Sequence, residues 1–237
     1  MPVFLLTDKF VFPPPHLATK EGLLAVGGDL DPARLLAAYK KGIFPWYSNG
    51  DPILWWSPDP RLVLYPEELK ISHSLAKILR KNLFQVSMDR GFRQVIGRCA
   101  SIRSETRQGT WISGEMIEAY CRLHQLGYAH SVEIWHKGDL VGGLYGLCIG
   151  RCYFGESMFS TMSNTSKVAL VFLCRYLREH QIDLIDCQVH TDHLVRMGAR
   201  NIARKDFIKQ LNRALKHPSF KGTWNLNSSN KGSAHGA

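Results

Sequence analysis

The sequence HSVEIWHKGDLVGGLYGLCIGRCYFGESMF (130–159) predicts three β-strands joined by two tight turns. Apolar, β-branched and aromatic residues fill the three runs, and Gly138 and Gly150 lie in the turns between them. Short connections that contain glycine are typical of β-hairpins. We therefore expect an antiparallel meander with strands at 130–136, 140–149 and 152–159.

The elements on either side of this meander indicate the fold class. A strand at 84–89 and helices at 90–100 and 113–127 precede it, and a helix at 166–180, a strand at 183–190 and helices at 192–198 and 204–216 follow it. This order predicts an α+β fold with a mixed sheet, and it resembles the fold of the GCN5-related N-acetyltransferases. The resemblance implies that strands 152–159 and 183–190 are parallel neighbours that splay apart and admit substrates.

The first part of the chain is predicted to form a small separate domain. Asp31 and Pro32 begin a helix that Gly42 ends, and the segment 43–61 is so rich in proline and aromatic residues that it must pack. We place the domain boundary at residue 59, so that residues 1–59 form the small domain and residues 60–217 the larger one. The tail at 218–237 is rich in Ser, Asn, Gly and Lys, which predicts disorder.

The composition is that of an ordinary globular protein. Apolar residues make up 45% of the 237, and no run of about 18 apolar residues predicts a transmembrane helix. The opening MPVFLLTDKFVFPPPH does not resemble a signal peptide, so we expect a cytoplasmic protein that does not associate with membranes. The six cysteines form no CxxC pair and are expected to be free thiols. His190 and His193 have no second cluster of ligands, so no metal site is expected.

The charge is strongly basic and unevenly distributed. The formal net charge is +10, and between Arg61 and Arg107 ten Lys or Arg residues stand against four acids. This excess favours a nucleic-acid partner, although a solvated surface would show the same pattern.

Three polar residues are predicted to converge on the two splayed strands. Alternate residues of a strand share a face, which makes Asp186 and Gln188 neighbours. Glu156 lies on the adjacent strand, and Phe154 and Met158 are expected on its face. A buried acid in an apolar sheet favours a functional site, although Asp186 could instead cap a helix or pair with an arginine.

The connection after the meander argues against a coenzyme A enzyme. An N-acetyltransferase needs a glycine-rich loop there, whose backbone amides hold the pyrophosphate. The stretch SMFSTMSNTSK (157–167) contains no glycine. A coenzyme A-dependent N-acetyltransferase is therefore the weaker alternative.

Several long motifs resemble one family in particular. They are GLLAVGGDL (22–30), YKKGIFPWYSNGDPILWWSPDPR (39–61), GTWI (109–112), LHQLGYAHSVE (123–133), LVGGLYG (140–146), GESMFS (155–160), NTSKVAL (164–170) and LIDCQV (184–189). In this order they resemble the leucyl/phenylalanyl-tRNA–protein transferases, and the match reaches about residue 210.

The resemblance implies an aminoacyltransferase. Leu or Phe, and less often Met, would pass from aminoacyl-tRNA to proteins that begin with Arg or Lys and mark them for degradation by the N-end rule. The resemblance implies no metal and no coenzyme, and we expect a monomer. A non-catalytic RNA-binding protein is an alternative, but Asp186 and Gln188 favour an enzyme.

The resemblance also assigns roles within the active site. Asp186 would accept or relay the proton of the attacking amine, Gln188 would orient the amine or the ester, and Glu156 would bind the donor's α-ammonium group. An apolar pocket for the donor side chain is predicted from three leucines at helical spacing and three residues of the sheet, although each could be ordinary core. These are Leu144, Met158, Leu170, Leu173, Leu177 and Ile185.

Two further groups are predicted to contact tRNA. Trp46 and Trp111 match tryptophans near the terminal adenosine, where an indole can stack on a base, although core burial is the usual fate of tryptophan. Lys77, Arg80 and Lys81 share one face of a predicted helix at 72–82 and match the family's basic cluster for the acceptor stem. A solvated amphipathic face is the alternative for this helix.

Overall fold

The N-terminal part of the chain forms a small sheet and one helix. The structure is a computed structural model that describes residues 3–105 and 112–226. Its first elements are β1 (Phe4–Leu6), β2 (Leu23–Gly27), α1 (Pro32–Tyr39), β3 (Phe44–Pro45) and β4 (Leu54–Trp56), with a 3-10 turn at Pro15–Leu17. The strands lie in the order β1-β2-β4-β3. Asp31 caps α1 by accepting a hydrogen bond from the Ala33 amide at 2.8 Å, which confirms the predicted start of this helix.

A mixed sheet of seven strands forms the centre of the larger part. Its strands are β5 (Arg61–Leu64), β6 (Gln85–Met88), β7 (Ala129–His136), β8 (Asp139–Ile149), β9 (Cys152–Ser160), β10 (Leu184–Gln188) and β11 (Arg200–Ile202), in the order β11-β5-β10-β9-β8-β7-β6. The meander β7-β8-β9 is antiparallel and β10 runs parallel to β9. The predicted α+β fold is therefore confirmed, whereas β5 and β11 were not predicted.

Helices cover both faces of this sheet. They are α2 (His73–Arg80), α3 (Phe92–Glu105), α4 (Gly114–Gln125), α5 (Thr165–Glu179), α6 (Asp192–Arg196) and α7 (Arg204–Ala214), with a 3-10 turn at Pro66–Glu68. Buried residues of α3 and α4 belong to one core cluster, and those of α5 belong to another with α2 packed beside it. Among the described residues, no helix is long and apolar enough to cross a membrane.

The two parts of the chain share a core. The cluster that contains Phe154 on β9 also contains Leu35 and Tyr39 of α1 and Trp55 of β4. The predicted division at residue 59 therefore stays a prediction, because the side chains on both sides of it pack together.

The splay between β9 and β10 opens after three paired residues. Leu184–Asp186 pair with Cys152–Phe154, whereas β9 continues to Ser160 and β10 to Gln188 without further pairing between them. Both strands change register at this point. Across β8, Tyr145 faces Ser157 and Gly146 faces Gly155, so Glu156 is an extra residue in β9.

This bulge corrects one expectation. Phe154 and Met158 were expected to share a face, but Phe154 packs in the cluster of α3 and α4 and Met158 in that of α5. One inserted residue shifts the alternation of a strand, which places Met158 on the opposite face.

The predicted disorder of the tail is wrong for residues 218–226. Trp224 is fully buried, its ring stacks on His130 at 3.8 Å, and its amide donates to Asp89 at 2.7 Å. Ser219 accepts a hydrogen bond from the Gly150 amide at 3.0 Å. Trp224, together with Phe220 and Leu226, gives the tail an apolar surface that packs on the fold. Residues 227–237 lie outside the described residues.

Candidate active site

A cavity of about 310 Å³ lies at the splay of β9 and β10. Residues from β3, β8, β9, α5, β10 and α6 line it. Of the predicted site residues, eight are brought together there: Trp46, Leu144, Glu156, Met158, Leu170, Leu173, Ile185 and Gln188. Asp186 and Leu177 do not line it, and Trp111 lies outside the described residues.

Glu156 is the one carboxylate among the described residues that line this cavity. Its Oε1 accepts hydrogen bonds from Tyr39 Oη and Gln188 Nε2, each at 2.7 Å, and its Oε2 accepts one from Tyr120 Oη at 3.0 Å. The two phenol oxygens are also in short contact with each other, and because each phenol has one proton, all three contacts are hydrogen bonds together only when Glu156 carries a proton. These donors fix the orientation of a carboxylate that has almost no contact with water.

The protonation of Glu156 is balanced near neutral pH. Burial disfavours the charged form and raises the pKa of Glu156 to about 7, against the lowering effect of the bonds from Tyr39, Tyr120 and Gln188. Burial also raises the pKa of both tyrosines well above the usual range, so the phenols keep their protons and act as donors. A cationic ligand group that entered the cavity would favour the ionised carboxylate.

Asp186 occupies a different environment from the one predicted. It is fully buried and forms a forked ion pair with Arg61, with Nε to Oδ1 at 2.8 Å and Nη2 to Oδ2 at 2.6 Å. Asp186 therefore faces away from the cavity, and pairing with an arginine, considered above as the alternative, is what the structure contains. Direct proton transfer from a substrate in the cavity to this carboxylate is not supported.

Gln188 connects Asp186 with Glu156. Its backbone amide donates to Asp186 Oδ1 at 2.9 Å, and its side-chain amide donates to Glu156. The backbone φ of Gln188 is +64°, in the left-handed region that non-glycine residues seldom adopt. The register shift in β10 and this conformation turn the side chain toward β9, which a regular strand would not do.

Most of the predicted apolar wall is present. Leu170 and Leu173 on α5 face the cavity together with Leu144, Met158 and Ile185 of the sheet. Leu177 is the exception, since it lies one helical turn farther along α5 and is completely buried in the core. Its inclusion in the pocket was therefore wrong.

Trp46 stands at the edge of the cavity. The side chain is 42% exposed, an unusual state for tryptophan, and its ring lies 5.8 Å from that of Trp56. Trp56 Nε1 donates to the Trp46 carbonyl at 2.6 Å and fixes this turn of the chain. An aromatic face is thus exposed at the edge of the cavity, and stacking of a base on Trp46 stays a prediction.

The basic helix α2 presents its cations to solvent. Lys77, Arg80 and Lys81 are exposed, while Leu75 is buried and anchors the opposite side of the helix. α2 packs on α5, whose residues also form a wall of the cavity.

Sequence reasoning missed three buried residues that build the site. Tyr39 and Tyr120 lie on α1 and α4, where each follows the apolar periodicity of its helix, and Arg61 begins an unpredicted strand. Nothing in the local pattern separates such residues from core positions. The Tyr, Glu and Gln contacts join residues more than 30 positions apart.

Among the described residues, no group of three His, Cys, Asp or Glu side chains is arranged to hold an ion.

Comparison with known proteins gives the class of enzyme, an aminoacyltransferase. The family model of the leucyl/phenylalanyl-tRNA protein transferases matches residues 63–212, and that of their N-terminal domain matches residues 28–59. The chain belongs to the leucyl/phenylalanyl-tRNA–protein transferase family.

Curated relatives match over almost the whole chain. A leucyl/phenylalanyl-tRNA–protein transferase of Desulforapulum autotrophicum is 57% identical over 224 residues, which cover 94% of this chain and 98% of that protein. One from Syntrophobacter fumaroxidans is 60% identical over 211 residues, 89% of this chain and 90% of that protein.

Similarity to solved structures is weaker. A GCN5-related N-acetyltransferase from Kribbella flavida matches at TM-score 0.36 and 11% identity, over 71% of this chain and 60% of that one. L-PGS from Bacillus licheniformis matches at TM-score 0.39 and 10% identity, over 84% and 66%. The family assignment comes from the sequences alone.

Proposed function

We propose that this protein transfers a leucyl or phenylalanyl group from aminoacyl-tRNA to the N-terminal amine of an acceptor protein. The observation that carries the proposal is Glu156, a carboxylate fixed by three donors beside an apolar wall. An α-amino acid with an apolar side chain needs both features in one cavity. Membership of the family gives this chemistry its donor, an esterified tRNA end.

The apolar wall would hold the donor side chain. Leu144, Met158, Leu170, Leu173 and Ile185 present only hydrocarbon and thioether groups, which suit Leu, Phe and, less well, Met. A pocket of this kind separates side chains that differ by one methylene by only about 1–3 kcal/mol. Acceptance of several donors follows from that weak discrimination.

The polar groups would hold the reacting end. Glu156 would pair with the donor's α-ammonium, and Gln188, already bonded to Glu156, would orient the ester or the attacking amine. Trp46 would stack on the terminal adenine, for about 1–3 kcal/mol. α2 would contact phosphates of the acceptor stem without reading sequence, as an enzyme that accepts several tRNAs requires.

The transfer itself needs little beyond positioning. The acceptor's neutral amine attacks the ester carbonyl carbon, the bond to the ribose oxygen breaks, and the amine's proton ends on the released tRNA hydroxyl. An aminoacyl ester is already activated, so holding amine and ester in contact supplies much of the rate. Asp186 acts here through Gln188 rather than as the proton acceptor.

The remaining features of the proposal come from the family. Acceptors would begin with Arg or Lys, the new N-terminus would mark them for degradation, and the protein would act as a monomer in the cytoplasm.

A coenzyme A-dependent acetyltransferase is not favoured by the connection between β9 and α5. Besides lacking glycine, its amides at Thr161 and Thr165 already donate to the carbonyls of Val141 and Met162, at 2.9 and 3.2 Å. These amides are not free to hold a pyrophosphate.

The test is a transfer assay with labelled donors. Leu-tRNA and Phe-tRNA are each incubated with a peptide that begins with Arg, and a peptide that begins with Glu is the control. We expect label on the Arg peptide only, and acetyl-CoA should donate nothing. Transfer of acetyl but not of leucyl groups would contradict the proposal.

A second donor tests the role of Glu156. N-acetyl-Leu-tRNA has no ammonium group, so it should be a poor donor for the wild type, and its transfer rate should not fall further with Glu156→Gln. The rate of transfer from Leu-tRNA should fall strongly with the same substitution. Equal losses for both donors would show that Glu156 does not recognise the amine.

A further inference from the structure

Arg61 is a buried cation that hydrogen bonds connect to the cavity. Its side chain is fully buried, and the forked contact with Asp186 uses two of its nitrogens. A buried charge is costly unless it is paired, and the pair itself often adds little stability compared with apolar residues. The position of such a pair at a site therefore calls for a role other than stability.

The ion pair is the first step of a continuous set of contacts. Asp186 Oδ1, fixed by Arg61, accepts the backbone amide of Gln188 at 2.9 Å. Gln188 Nε2 then donates to Glu156 at 2.7 Å. Arg61 is thus connected to the carboxylate of the cavity through two intermediate residues, Asp186 and Gln188, and both are buried.

The same guanidinium also supports the opposite wall. It lies between the rings of Phe44 and Phe207, at 4.8 and 4.7 Å from their centroids. Phe44 lines the cavity and precedes Trp46 by two residues. One planar cation therefore fixes the segment that carries Trp46 as well as the strand that carries Gln188.

We propose that Arg61 is a positioning residue for aminoacyl transfer, which holds Asp186 so that Gln188 stays aligned with Glu156 and the ester. This inference rests on the proposed function. Arg61 touches no substrate and acts through Asp186. A lysine cannot replace it, because an ammonium group provides neither the parallel fork to a carboxylate nor a flat surface between two rings.

The first test compares Arg61→Lys with a matched control. Arg34 is also fully buried, forks onto Asp29 at 3.0 and 3.1 Å and lies over the ring of Phe10, but it does not line the cavity. We expect Arg61→Lys to lower kcat about 100-fold, the cost of a small misplacement at a reacting centre. KM for aminoacyl-tRNA should change much less. Arg34→Lys should lower Tm without lowering kcat at a temperature where both variants are folded.

A double variant separates positioning from folding. Arg61→Met/Asp186→Leu replaces the pair by apolar residues of similar size, so it should fold even if Arg61→Lys does not. It should stay as slow as Arg61→Lys although its Tm returns toward that of the wild type. A folded double variant with wild-type kcat would overturn the proposal.

A spectroscopic signal tests Arg61 without any transfer assay. The side-chain amide of Gln188, assigned in a 15N spectrum by its loss in Gln188→Glu, should exchange slowly with water in the wild type. In Arg61→Lys and in the double variant it should exchange fast, and in Arg34→Lys it should not change. Slow exchange of this amide in all variants would overturn the positioning role. Fast exchange in the two Arg61 variants, together with a wild type that transfers no aminoacyl group, would overturn only the proposed function.

Discussion

At the scale of single residues, the site depends on where a carboxylate is placed rather than on how many there are. Asp186 and Glu156 lie on neighbouring strands, yet one faces an arginine and the other a cavity. The environment assigns the two acids different roles, since Asp186 already has a cationic partner and Glu156 in its apolar cavity needs a cation from outside. The donor's ammonium group is that cation in the proposed reaction.

The pH dependence of donor binding follows from this difference. Burial raises the pKa of Glu156 to about 7, so the carboxylate that binds ammonium forms only as pH rises through that value. We expect kcat/KM for Leu-tRNA to begin rising through about pH 7 in the wild type, whereas in Glu156→Gln only the rise that belongs to the acceptor's own α-amine, near pH 8, should remain. The substitution should also raise KM about 10- to 100-fold, as loss of a charge-assisted hydrogen bond implies.

The measurement is a pH profile of transfer to one Arg peptide, with wild type and variant side by side. A falling limb at higher pH belongs to the donor's own ammonium group and should remain in both proteins. Survival in Glu156→Gln of the rise near pH 7, in addition to the rise of the acceptor amine near pH 8, would assign it to a group other than Glu156.

At the scale of elements, the sequence predicted those helices and strands whose apolar residues repeat at the period of the element. The meander, α5 and the strand at 184–188 were found because each alternates or repeats at its own period. β5 and β11 were missed, since both are short and follow proline-rich or polar stretches in which their pairing partners are not visible. The bulge at Glu156 and the left-handed Gln188 arise from register between strands, so they could not be read from either strand alone.

The helix α2 gives a prediction at this scale. Its cations are exposed and its apolar side is buried, so removing charge should not affect folding. We expect Lys77→Ala/Arg80→Ala to raise KM for aminoacyl-tRNA, and the slope of log KM against log salt to fall by about 2, one for each lost phosphate contact. Steady-state assays at several salt concentrations measure both effects.

The control removes the same charge from another helix. Lys209→Ala/Arg213→Ala changes two exposed cations of α7, which packs on β5 rather than on α5. This variant should keep the wild-type slope. Equal changes in both variants would mean that tRNA responds to the net charge of the protein and not to α2.

At the scale of the whole molecule, the last described segment, residues 218–226, packs on the sheet and α5 and adds Trp224 to their core. Trp224 stacks on His130 of β7 and lies 4.8 Å from the ring of Tyr176 on α5. Its amide completes the set of donors to Asp89, which also accepts from His130 and from the Ser131 amide, each at 2.8 Å. A polar composition concealed this docking, because disorder is inferred from averages and one buried aromatic residue can outweigh them.

Shortening the chain should therefore reveal how much this segment stabilises the fold. A protein that ends at residue 217 loses Trp224 and exposes the rings beneath it, so its free energy of unfolding should fall by about 3–5 kcal/mol, as for removal of a buried tryptophan. A protein that ends at residue 226 keeps the described contacts of the segment and is the reference for the loss of residues 218–226. Urea unfolding, followed by circular dichroism, measures the three proteins under the same conditions. If the protein that ends at residue 217 unfolds at the same urea concentration as the full chain, the docked segment contributes nothing to the free energy of unfolding.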